Sequence, residues 1–160
     1  MRRLMKFLHT MGAIGLMGAM ACLLALLGIT PAPSEELARY AELRAAMAAI
    51  TNWVFFPSLG VTLVAGLLAI AVNRAYHSAG WALAKLATGV LVFEWGFAAV
   101  QGPMQEAAED SARALAGQLD AATLAVSAGA ERASLWIMLG VATVNVILGI
   151  WRPRLTSLPD

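Results

Sequence analysis

Apolar residues run along this chain in four long blocks, and the stretches between and beyond them hold nearly all of its charged residues. The first block, FLHTMGAIGLMGAMACLLALLGIT, lies in the interval between Lys6 and Glu35, which contains no Asp, Glu, Lys or Arg. The second, WVFFPSLGVTLVAGLLAIAV, runs from Trp53 to Val72 and stops at Asn73–Arg74. The third extends from Trp81 to Gln101 and contains Lys85 and Glu94, and the fourth lies between Arg132 and Arg152. About 20 apolar residues let a helix cross the hydrocarbon core of a bilayer. The pattern therefore predicts an all-α membrane protein, a four-transmembrane-helix bundle with spans at about 5–29, 53–72, 81–101 and 133–151. Trp53, Trp81 and Trp151 fall at span ends, where indole rings favour the membrane interface.

Two longer connections, 30–52 and 102–132, complete a single membrane domain over residues 1–160. Pro31 and Pro33 end the first span, and Ser34 ahead of Glu35–Glu36 reads as a helix start. The run EELARYAELRAAMAAI suits a helix that lies on the surface or leads into the second span. Pro103 is expected to break the chain after the third span, and the alanine-rich QEAAEDSARALAGQLDAATLAV to form a solvated helical excursion.

Charge orients the bundle. Arg2, Arg3, Lys6, Arg74, Lys85, Arg152 and Arg154 fall on one side, whereas acidic residues dilute Arg39, Arg44, Arg113 and Arg132 on the other. Basic residues in short loops stay in the cytoplasm, so both termini are expected there, in a bacterial inner (cytoplasmic) membrane, with the two longer loops outside. The basic MRRLMK start resembles a signal-peptide leader, but the apolar stretch after it is longer than the 7–15 residues of a signal core. A retained anchor is expected.

Composition narrows the function classes. The 160 residues are 60% hydrophobic and 13% charged, against about 25% charged in soluble domains. A net charge of +1 gives no case for nucleic acid as a partner. The single cysteine, Cys22, excludes an intrachain disulfide and any cysteine-built metal cage within one chain. No histidine–carboxylate grouping completes a site for another metal, and no complete catalytic motif is present, which leaves enzyme activity open.

Several polar positions stand out within and beside the spans. Glu94 is the only acid inside them, and seven residues from Gln101 it lies about 10 Å below the end of its helix. Cys22 and Ser58 fall at similar depth, so Glu94, Ser58 and Cys22 form a candidate intramembrane polar site. A carboxylic acid there is expected to be buried and neutral, bonded to Ser58, Thr62, Thr143 or a backbone carbonyl, or to serve a proton relay. His9, Gly12, Ala13, Leu16 and Ala19 share one helical face, expected to point into the bundle, where small residues serve helix packing or admit a flat macrocycle. Topology brings His9 and His77, in the NRAYHSAG loop, to the same membrane side. Two neutral imidazoles there are candidate axial ligands for haem b, with Arg3, Arg74 or Lys85 near the propionates. Lys85 alone reads as a lysine that snorkels to the interface.

MKFLHTMGAIGLMGA, PSLGVTLVAGLLAI and the W-x-x-x-K-L of Trp81–Lys85–Leu86 together resemble a family of bacterial four-span integral membrane proteins of uncharacterised function. The L-H-x-x-G start and the W-x-x-x-K-L span are more distantly similar to two groups, the small membrane-type protoporphyrinogen oxidases and the copper-resistance D membrane domains. The resemblance to the oxidases implies that His9 is an iron ligand or substrate-site residue and Lys85 a polar site residue. The chain departs from that family at Leu83, where the oxidases carry a histidine, and at PAPSEELARY, which replaces their long basic segment.

Two function classes follow. One is a haem-associated or redox-related membrane protein. The other is a non-catalytic accessory or assembly subunit that packs on a membrane-protein partner or on its own copies.

Overall fold

The computed structural model describes residues 2–73, 80–124 and 128–151. Helices α1 (Arg2–Ile29), α2 (Leu37–Ile50), α3 (Phe56–Val72), α4 (Gly80–Gly96), α5 (Gly102–Leu115) and α6 (Ala128–Trp151) account for nearly all of them. A 3-10 turn, Ala121–Thr123, precedes α6, and no strand occurs among the described residues. Four helical stretches are long and apolar enough to cross a membrane: Arg3–Ile29, Leu37–Val72, Gly80–Leu115 and Ala128–Trp151. The protein is a multi-pass, all-α four-helix membrane bundle.

The second and third spans extend well beyond the apolar blocks because α2 runs into α3, and α4 into α5, without a break. Pro57 and Pro103 stand inside these continuous helices, so the expectation that Pro103 breaks the chain is not met. A proline in a helix cannot donate to residue i−4 and crowds its carbonyl. Here each proline is preceded by a wider π turn, Thr51–Phe55 before Pro57 and Phe97–Gln101 before Pro103. The Phe56 amide donates to the Thr51 carbonyl and the Gly102 amide to the Phe97 carbonyl, five residues back in each case. The extra residue in the turn absorbs the proline, and the helix continues.

Within the bundle α1 packs against α3 and α6, and α4 packs against the same two helices, so α1 and α4 occupy opposite corners. The α1–α3 approach is the closest and is set by glycine. A Cβ on Gly12 would collide with the Thr62 hydroxyl and come within 2.9 Å of the Ser58 carbonyl, and one on Gly15 would collide with the Ser58 hydroxyl. Leu16, Ala19, Met20, Leu23 and Leu27 bury the same side of α1 against Phe55, Leu59, Val92, Leu135 and Met138. The predicted inward face of α1 is the observed one, and Gly12 there serves backbone packing. Outward, Trp53, Leu91, Ile150 and many other large apolar side chains are exposed, as a lipid environment requires.

At the end away from the termini, α2 and α5 pack together into a cap. Arg44 of α2 reaches Glu131 in the first turn of α6 at 2.7 Å, with both side chains buried. The Arg44 guanidinium also lies over the Tyr40 ring at 5.1 Å, and Tyr40 joins Ala114 and Leu124 in a small second core.

Candidate functional site

At the end that bears the termini, the four spans diverge around a cavity of about 600 Å³. Residues from α1, α3, α4 and α6 line it, mostly with aliphatic side chains such as Leu16, Leu63, Leu86 and Val146. A volume of this order accommodates a drug- or cofactor-sized molecule. Few polar groups face it, and each is placed by a specific local feature.

His9, two turns into α1, is the first of these. Its Nδ1 lies 2.8 Å from the Thr62 carbonyl oxygen on α3. That carbonyl is already shared by a helix, and a carbonyl oxygen only accepts, so Nδ1 carries the proton. The neutral ring then keeps its lone pair on Nε2. The ring lies flat enough against α3 that Nδ1 and Cε1 are 3.5 Å from the position a Cβ on Gly66 would take. Glycine at position 66 is what lets the imidazole pack so close.

Lys85 enters the cavity from α4 and is half-buried. Its Nζ lies 2.9 Å from where a Cβ on Gly149 of α6 would stand, so the amine crosses toward α6 over a residue with no side chain. Asn145 of α6 also lines the cavity, with Lys6, Thr10 and Thr62 as further polar residues. The Thr88 hydroxyl donates to the Asn145 Oδ1 at 2.9 Å, which ties α4 to α6 and leaves the amide N–H groups for other acceptors. Among the described lining residues the ionisable ones are Lys6, His9 and Lys85. The described lining thus combines apolar walls with one imidazole and two lysines.

His9 and Lys85 both line this cavity, while His77 lies outside the described residues. The structure does not assemble Glu94, Ser58 and Cys22. Val92, Gly96 and Val100 form the buried stripe of the third span, and Glu94, two positions from Val92, falls on the opposite, exposed face. The expectation of a buried Glu94 is thus corrected. Ser58 faces Gly15 in the α1–α3 seam, and Cys22 is exposed on α1. The hydroxyls proposed as partners for Glu94 are used elsewhere: Thr62 donates to the Ser58 carbonyl and Thr143 to that of Leu139. Asn145 and Thr88 were not singled out from the sequence. The visible signal was an asparagine in the middle of the fourth apolar block, an environment in which an amide needs a partner.

Searches of protein families, curated proteins and solved structures return no match to the chain. The cavity itself therefore carries the functional argument.

Proposed function

We propose that this chain is a haem-associated, redox-linked protein of a bacterial inner membrane, with both termini and the cavity on the cytoplasmic side. One observation carries the reading: the His9 Nδ1–H bond to the Thr62 carbonyl, beside an apolar cavity of about 600 Å³. Histidines that ligate metals commonly donate their other N–H to a backbone carbonyl, which fixes the tautomer and the ring orientation. His9 meets that condition, and Nε2 is the atom left to coordinate iron.

The remaining lining residues fit the same group. Aliphatic walls suit the faces of a porphyrin, and Lys6 and Lys85 suit its propionates. In such a site haem supplies one-electron chemistry. The protein's part is to bind it, orient it through His9, hold its acidic edge with the lysines and keep bulk water from its face. The orientation rests on the basic residues at the end of the termini, Arg2, Arg3, Lys6, Lys85, Arg152 and Arg154.

The second reading, a non-catalytic accessory or assembly subunit, draws on the outward carboxyl of Glu94, a polar group on a surface otherwise made for lipid. The absorption spectrum of protein purified from haem-replete cells separates the two. A Soret band with resolved reduced α and β bands is the expected outcome. A colourless protein that co-purifies with a defined membrane partner supports the second reading instead.

A further inference from the structure

Glu94 lies about 10 Å below the end of the third apolar block, seven residues before Gln101, and its side chain is exposed. Among the described residues it has no hydrogen-bond or ion-pair partner. A carboxyl group that faces hydrocarbon at this depth is unfavourable whether ionised or neutral, because nothing there accepts or donates a hydrogen bond. The surface around it is shaped for a helix rather than for lipid alone. Ala87, Leu91, Glu94 and Ala98 are all exposed and follow one another at intervals of four, three and four residues. That spacing is the seam of a left-handed helix pair, and the alanines on either side allow close approach.

We propose that the outward face of α4 pairs two copies of this chain across a two-fold axis along the membrane normal, with the two Glu94 side chains opposed. Such an axis sets identical residues at identical depth, so each copy brings the polar group that the other lacks. A protonated carboxyl both donates and accepts, which makes the pair self-complementary. The exposed Cys22 cannot serve this role. It lies on α1, at the corner opposite α4, so contact between Cys22 of one copy and Glu94 of the next would propagate into a chain and not close.

Oxidative cross-linking in native membranes tests the proposal, with Leu91→Cys and Ala98→Cys each introduced into a Cys22→Ser background. Both variants should form covalent dimers, whereas the wild type, through Cys22, should not. Adding Glu94→Leu should weaken the dimer roughly tenfold, and Glu94→Gln, whose amide is also self-complementary, should retain it. The mass of the unmodified protein in lipid nanodiscs provides a readout independent of any substitution. Two chains of 16.8 kDa per particle are expected. One chain per particle, cross-linking at Cys22 equal to that at Leu91→Cys, or adducts with a different protein would overturn the proposal.

Discussion

Arg44 and Glu131 meet at 2.7 Å at the far end of the bundle, with 1% and 2% of their side chains exposed. The pair joins α2 to α6 across 87 residues of chain and seats the cap on the spans. The energetic consequence is asymmetric, because loss of one partner leaves the other charge buried without its counter-ion. Glu131→Ala and Arg44→Ala should each cost about 3–5 kcal/mol, and the double change Arg44→Met with Glu131→Leu should cost less than either single truncation. Reversible unfolding in mixed micelles measures all three. A double variant no more stable than the worse single one contradicts this account.

The α1–α3 seam makes a sharper steric prediction. At Gly12 an added methyl meets the Thr62 hydroxyl and the Ser58 backbone, while at Gly18 nothing lies within 4 Å. Gly12→Ala should destabilise the bundle by about 1–3 kcal/mol, the usual cost of overpacking. Gly18→Ala should be neutral or stabilising by up to about 1 kcal/mol, since alanine restricts the unfolded chain. The same unfolding assay distinguishes them, and equal effects at the two positions would contradict the close approach.

These two features mark how far the sequence could be read. Hydrophobic blocks of span length fix the four helices, and three- and four-residue spacing identifies the inward face of α1 through Leu16 and Ala19. The limits lie where one rule gives way to another. Pro103 signals a break, but a π turn upstream accommodates it, and nothing in local composition announces that turn. Arg44 and Glu131 count as solvated loop charges until α2 is seen to continue the second span and face α6. Glu94 reads as an interior acid because lone carboxyls in membranes usually face inward, yet the helix phase set by Val92, Gly96 and Val100 turns it outward. At the cavity, His9 and Lys85 are visible as residues. The Thr62 carbonyl and the two glycines that receive their side chains are not.

Orientation is tested directly by reporter fusions. The asymmetry of basic residues predicts a cytoplasmic reporter at the C-terminus and a periplasmic one at Gln118, in the exposed turn after α5 that Gly117 enters at φ 71°. Activity of an export-dependent reporter at the C-terminus would reverse the bundle and place the cavity on the outer side.

The central claim is that His9 holds haem iron in the cavity, and titration of the purified apoprotein with haem tests it most directly. Wild-type protein should bind one haem per chain with a shifted Soret band. His9→Ala should lose that spectral shift, with helical circular dichroism unchanged and affinity reduced at least tenfold, as expected when an iron ligand is removed. Wild type and His9→Ala binding haem with the same affinity and spectrum, or a wild type that binds none, would contradict the account.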